Sequence, residues 1–136
     1  MKFSLEATSD ANVVHSYGDD YIVVKSKEYL ELKRLDSSLI LMPDQLISDW
    51  HIKDITQLNV SDVQELKNLD PEVLVLAHGS SVYSLPPKLM VEFYAQAIGV
   101  ECMPIGAACR TYNLLVAEDR KVVLVVIFND NNGSKN

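Results

Sequence analysis

The stretch Val73-Leu74-Val75-Leu76-Ala77 is apolar throughout, and two further stretches are apolar at nearly every position. These are Ser38-Leu39-Ile40-Leu41-Met42 and Val122-Val123-Leu124-Val125-Val126-Ile127-Phe128. Strands that are covered on both faces have this composition, because neither side of the strand meets water. We therefore predict three buried strands in the centre of the domain.

Helical segments with recognisable ends separate these strands. The first opens with a capping box formed by Ser61 and Gln64. The second occupies the stretch between Pro86-Pro87 and Gly99, and the third extends over about residues 106–118. Strands that alternate with helices predict an α/β domain in which helices cover a sheet in three layers.

Residues 13–35 show a different pattern, in which apolar and polar side chains alternate. Gly18-Asp19-Asp20 suits a tight turn between strand-like segments at residues 13–17 and 21–24. A third segment alternates Leu30 and Leu32 with charged residues. Alternation of period two indicates that one face is exposed to water, so we predict an antiparallel N-terminal meander at the edge of the domain.

Length and charge limit the classes of function. A chain of 136 residues with 48% hydrophobic residues can bury a core without disulfides or a structural metal, so residues 1–128 are predicted to form a single domain. Residues 129–136 contain almost no apolar side chain, and we expect them to form a disordered tail. The net charge of −7 argues against nucleic acid and against anionic lipid as partners.

The cysteines and the apolar runs indicate a cytoplasmic protein. Cys102 and Cys109 are too few for a disulfide framework and lack metal-binding spacing. No apolar run approaches the roughly 20 residues that a membrane helix requires, and we find no export signal. His15 and His51 have no histidine four residues away, and no phosphate-loop spacing occurs, so we predict neither a metal nor a cofactor.

The candidate binding cleft lies where two strands end, since ligands of such sheets bind beyond the carboxyl ends of the strands. One contributing segment is His78-Gly79-Ser80, and the other is Cys109-Arg110-Thr111-Tyr112-Asn113 on the third helix. Cys109 lies on an apolar arc, which is typical of a small buried hydrophobe, although a thiolate near a helix start is the alternative. Arg110 suits either a carboxylate or phosphate ligand or a structural ion pair.

A second candidate region follows the first buried strand, where Asp44 and Trp50 occur. A tryptophan in such a loop covers the core or anchors a partner protein. Asp44 and Trp50 therefore form our candidate partner surface.

Several motifs together resemble a widespread domain-of-unknown-function family that includes the mitochondrial assembly factor for respiratory complex I. The resemblance covers roughly residues 3–128. It rests on Gly18-Asp19 with Tyr21-Ile22-Val23-Val24, Pro43-Asp44 with Trp50, Pro71-Glu72-Val73-Leu74-Val75-Leu76, Pro86-Pro87, Gly99-Val100-Glu101 and Ala107-Ala108-Cys109-Arg110-Thr111-Tyr112-Asn113.

This resemblance implies a three-layer β+α/β/α fold with a mixed central sheet whose last strand runs antiparallel to the others. It implies no established enzymatic activity. By analogy, the leading hypothesis is a non-catalytic protein-binding or assembly-factor module with an unidentified protein partner, and weak self-association is compatible with it. The alternative is a small enzyme or ligand-binding protein that uses the cleft around His78, Cys109 and Arg110.

Overall fold

A computed structural model describes residues 10–26, 31–79 and 85–128. Its helices are α1 (Val60–Lys67), α2 (Pro87–Tyr94) and α3 (Ile105–Ala117), and a short 3₁₀ turn covers Ile55–Gln57. Its strands are β1 (Val13–Tyr17), β2 (Ile22–Lys25), β3 (Lys33–Leu35), β4 (Leu39–Met42), β5 (Gln45–Ile47), β6 (Val73–His78), β7 (Gly99–Pro104) and β8 (Val122–Ile127).

The strands form two sheets. An antiparallel meander has the order β1-β2-β3, and a mixed five-stranded sheet has the order β5-β4-β8-β6-β7. Both confirm the predicted fold class. The third strand of the meander, however, comprises only Lys33–Leu35 of the described residues. Leu32 precedes this strand and is exposed, and Leu30 lies outside the described residues.

The directions of the strands correct one expectation from the family resemblance. The last strand, β8, runs parallel to β6, and β6 runs parallel to β7. The antiparallel neighbour of β8 is β4. Helical crossovers connect β6 to β7 and β7 to β8, and a crossover returns the chain in the same direction. The sheet is mixed because β4 and β5 form a hairpin at its other side.

Alternating side chains of the five-stranded sheet divide the core into two clusters. Val123, Val125 and Ile127 of β8 pack with the buried residues of α1 and α2, together with Trp50 and Ile52. Val122, Leu124 and Val126 pack with α3 and with the inner face of the meander. The layers are therefore α3 with the three-stranded sheet, then the five-stranded sheet, then α1 with α2.

The ends of the helices differ from the predicted ends in two places. Asn59 caps α1, where its side chain accepts hydrogen bonds from Ser61 N and Asp62 N, while the Asp62 carboxylate accepts from Asn59 N. The predicted box of Ser61 and Gln64 is wrong because the Asn59–Asp62 pair has the same spacing two residues earlier. Helix α2 ends at Tyr94, well before Gly99, since Ala97 has a φ of 60°.

Helix α3 agrees with its predicted span, and Pro104 precedes it without any side-chain cap. No helix among the described residues is long and apolar enough to span a membrane. The predicted tail at 129–136 lies outside the described residues.

Candidate functional site

Cys109 is part of the core on the α3 side of the sheet. Only 1% of its surface is exposed, and its neighbours there include Ala108, Tyr112 and Val116. Burial raises the pKa of the thiol to about 12, and the charge of Arg110 opposes that shift only in part. The thiol is thus neutral at physiological pH, which agrees with the buried-hydrophobe interpretation.

Tyr112 connects α3 to the segment that leads into β1. Its ring is fully buried, and its hydroxyl donates to the carbonyl oxygen of Asn12 at 2.9 Å. Asn12 in turn donates from its side chain to the Met42 carbonyl and from its backbone to the Pro43 carbonyl. Burial, with a smaller contribution from the charge of Asp44, raises the pKa of Tyr112. This chain of bonds attaches the meander to β4.

The side-chain amide of Asn113 pairs with the backbone of β1 in the way that the backbone of a neighbouring strand pairs. Its Oδ1 accepts from Val14 N and its Nδ2 donates to Val14 O, both at 2.9 Å. The amide therefore satisfies both backbone groups of one residue in an outer strand of the meander. The polar border of α3, which we expected to line a cleft, faces β1 at this position.

Arg110 is exposed and also reaches towards β1. Its Nη1 donates to the hydroxyl of Tyr17 at 2.7 Å. Gly106 lies beneath this contact, because a Cβ atom there would be 3.0 Å from the Tyr17 ring. Thr111, the remaining polar residue of the segment, donates from Oγ1 to the sulfur of Met103 at 3.5 Å. Arg110 and Asn113 thus share a helix face, as predicted, and that face borders the meander.

His78 lies at the carboxyl end of β6 and is buried. Alternation along β6 places it on the same face as Leu74 and Leu76, which belong to the α1 and α2 side. Cys109 belongs to the opposite side. Gly79 continues from the strand with its N–H donating to Ile127 O, and Ser80 lies outside the described residues. The sheet therefore separates His78 from Cys109.

A cleft of about 540 Å³ opens at the end of the five-stranded sheet that lies opposite His78. It lies where β4 ends and β8 begins, next to the C-terminal ends of α1 and α3. Its lining includes Asp44, Gln45, Leu69, Pro71, Arg120 and Lys121. Of these residues, the sequence pointed only to Asp44, as part of the candidate partner surface, and the binding cleft was expected at the carboxyl ends of β6 and β7. The polar segments that precede β6 and β8 are the available signal for this cleft.

The rim of this cleft carries two ion pairs. Arg120 Nε donates to Glu72 Oε1 at 3.0 Å, and Lys121 Nζ lies 3.3 Å from Asp70 Oδ2. Hydrogen bonds from the Lys121 backbone and from Arg120 hold the pKa of the Glu72 carboxyl below its usual value. Asp44 is exposed in the lining, so this member of the predicted partner surface belongs to the cleft.

Trp50, the other member, covers the core. It is 4% exposed, and its Nε1 donates to Glu65 at 3.3 Å. The ring of the adjacent His51 meets the indole edge at a centroid distance of 5.4 Å, and His51 Nε2 lies 2.9 Å from Asp62 Oδ1. His51, Asp62 and Glu65 each present one atom capable of binding a metal, all within 4.8 Å of one another. Histidine spacing along the sequence could not reveal this set.

Curated proteins of similar sequence include two named relatives. The 13 kDa major membrane protein of Francisella tularensis subsp. holarctica is 31% identical over 106 residues, which cover 76% of this chain and 85% of that protein. NADH dehydrogenase (ubiquinone) 1 alpha subcomplex assembly factor 3 of Drosophila melanogaster is 29% identical over 104 residues, which cover 69% of this chain. They cover 53% of the assembly factor, so this chain spans about half its length.

Solved structures share the fold. A crystal structure of a Bordetella parapertussis protein has a TM-score of 0.74 and 31% identity, covering 88% of this chain and 97% of that one. A solution structure from Bordetella pertussis, described as an Mth938-like domain, has a TM-score of 0.72 and 27% identity, covering 90% and 88%. The profile described as "Protein of unknown function (DUF498/DUF598)" matches residues 14–127, so the chain belongs to this family.

Proposed function

We propose that this chain is a non-catalytic assembly-factor module that binds another protein. The observation that carries the proposal is the similarity, over 69% of the chain, to a Drosophila protein named as an assembly factor of NADH dehydrogenase. The matched region is about half of that protein, so the shared part is this α/β domain. The partner class that follows is a subunit or intermediate of a respiratory membrane complex.

The cleft beside Asp44 is the contact surface that we favour. Its lining combines apolar side chains, such as Leu69 and Pro71, with the ion pairs of Arg120 and Lys121 at its rim. Protein interfaces have this composition, with an apolar centre and a polar border. The cleft also adjoins β5, which is an outer strand of the five-stranded sheet.

Site-specific photocrosslinking in the source organism tests this surface. We would place p-benzoylphenylalanine at position 44 and, as a matched control, at position 36, where an exposed aspartate follows β3 and does not line the cleft. We expect crosslinks to a respiratory-complex subunit from position 44 only. Equal labelling from both positions would contradict the assignment of the cleft.

A gene deletion tests the assembly role independently of the surface. We expect native gels of the membrane fraction to show less fully assembled NADH dehydrogenase, and the wild-type gene to restore it. An unchanged amount of the complex, together with no subunit crosslink, would overturn the proposed function.

Binding of a small molecule is the second candidate, and the size of the cleft supports it. A volume of about 540 Å³ falls in the range of roughly 300–1,000 Å³ that is typical of ligand sites. Native mass spectrometry of protein purified from its source should then show a bound molecule that the variant Leu69→Trp loses. Observation of the bare chain alone would exclude a tightly held ligand.

The proposal places the module in a reducing compartment such as the cytoplasm. Cys102 of β7 and Cys109 of α3 are free thiols that belong to the core on opposite sides of the sheet. Fusion to a compartment-sensitive fluorescent reporter in the source organism tests this placement.

A further inference from the structure

The His51–Asp62–Glu65 set shares no residue with the cleft, and it does not depend on the proposed function. Asp62 and Glu65 are three residues apart in α1, so their side chains emerge from the same face of the helix. His51 reaches them from the loop that follows β5. Two segments of the chain therefore bring one imidazole and two carboxylates together, with the three ligand atoms within 4.8 Å of one another.

Neighbouring groups orient the two carboxylates. The side chain of Asp62 is 4% exposed, and its Oδ2 accepts from Asn59 N at 3.0 Å, which directs Oδ1 towards His51. Trp50 Nε1 lies 3.3 and 3.4 Å from the two oxygens of Glu65. Metal ligands in proteins are commonly held by such outer hydrogen bonds, which fix their orientation before the ion binds.

We propose that His51, Asp62 and Glu65 bind a divalent transition-metal ion, of which Zn²⁺ is the best match, with water completing its coordination. Imidazole nitrogen and carboxylate oxygen are the zinc ligands of many sites, whereas Mg²⁺ and Ca²⁺ prefer oxygen ligands alone. Two carboxylates supply a charge of −2, which matches the charge of the ion.

The geometry requires only a small movement. Ligand atoms that are about 2.0–2.1 Å from a zinc ion lie at most about 4.2 Å apart. The side chain of His51 is 63% exposed and Glu65 is also exposed, so both can rotate towards the buried Asp62. The metal then bridges His51 Nε2 and Asp62 Oδ1, which are in direct contact at 2.9 Å without it.

Trp50 provides a direct measurement, because it is the only tryptophan of the chain and contacts two of the three ligand residues. We would titrate the untagged full chain with Cu²⁺ or Co²⁺ and follow the tryptophan fluorescence. We expect saturable quenching that EDTA reverses. Calorimetry with Zn²⁺ should give one site per chain with a micromolar or tighter dissociation constant.

Two variants and one control make the test decisive. His51→Asn and Glu65→Gln should each weaken Zn²⁺ binding about tenfold or more, while His15→Asn, an exposed histidine of β1, should leave it unchanged. Circular dichroism checks that each variant is folded, and Glu65→Gln decides the matter if His51→Asn unfolds. Equal affinity in the wild type and Glu65→Gln, or no saturable binding by the wild type, would overturn the proposal.

Discussion

Replacement of Asn113 by alanine tests whether α3 holds the meander in place. The wild-type amide makes two hydrogen bonds to the backbone of Val14, one as acceptor and one as donor. Alanine keeps the helix intact, since it is the best helix former, but it leaves the N–H and the C=O of Val14 without that partner.

The expected loss follows from these two groups. An abandoned buried donor or acceptor costs about 1–3 kcal/mol, and both bonds here are only partly buried, so water recovers some of the loss. Alanine also has a higher helix propensity than asparagine, which reduces the expected loss of stability by a further few tenths of a kcal/mol. We expect the free energy of unfolding to fall by about 2 kcal/mol, which lowers Tm by roughly 6–10 °C in a domain of this size.

Urea unfolding, followed by circular dichroism, measures the change. Leu114→Ala is the matched control, because Leu114 is the next residue of α3 and is 59% exposed. We expect that control to remain within about 0.5 kcal/mol of the wild type. If Asn113→Ala also stayed within that limit, the pairing of Asn113 with β1 would contribute nothing, and our account of α3 would be refuted.

Three further predictions concern the same helix. In a Cys102→Ser background, iodoacetamide at pH 8 should modify Cys109 far more slowly in the native protein than in urea, and a native rate equal to that of a free model thiol would contradict its burial. Because folding raises the pKa of Cys109 from 9 to about 12, the unfolded chain loses its proton first, so stability is retained below pH 9 and falls above it. Above pH 9 the free energy of unfolding should fall by up to about 1.4 kcal/mol per pH unit relative to that of Cys109→Ala. If the two proteins lost stability in parallel as the pH rises, this prediction would be refuted. Arg110→Met should cost less than about 1 kcal/mol in thermal melts, since Arg110 and Tyr17 are both exposed, and a loss above about 2 kcal/mol would show a structural role. The crosslink from position 44 should persist in this variant, because Arg110 does not line the cleft.

The positions of the buried strands were predictable, because a run of apolar residues identifies a buried strand without knowledge of its direction or of its neighbours in the sheet. Val73–His78 and Val122–Ile127 are buried at nearly every position, as the composition indicates. The same runs cannot reveal that β8 is parallel to β6, since an apolar strand has the same pattern in either direction. Direction is set by the crossover helices, and order is set by packing between segments that are distant in sequence.

The start of α1 shows a second limit. Asn59 with Asp62 and Ser61 with Gln64 both have the spacing of a capping box. Local chemistry does not choose between them. Only the folded chain shows that Asp62 is buried against His51, which selects the earlier cap.

The most informative difference concerns the polar border of α3. Periodicity correctly placed Arg110 and Asn113 on one face, and an arginine beside an asparagine near a helix start is a reasonable ligand site. What periodicity cannot supply is the identity of the neighbour, which is β1, a segment about 100 residues earlier in the chain.

That neighbour changes where function should be sought. The side chains of Tyr112 and Asn113 form hydrogen bonds with the backbone of Asn12 and Val14, so they stabilise the fold. Arg110 donates a hydrogen bond to the exposed Tyr17, so its guanidinium lies at the surface. The polar groups best placed to meet a partner or an ion therefore lie elsewhere, in the cleft beside Asp44 and in the set formed by His51, Asp62 and Glu65. These two regions share no residue, and for that reason the crosslinking and zinc experiments can fail or succeed independently.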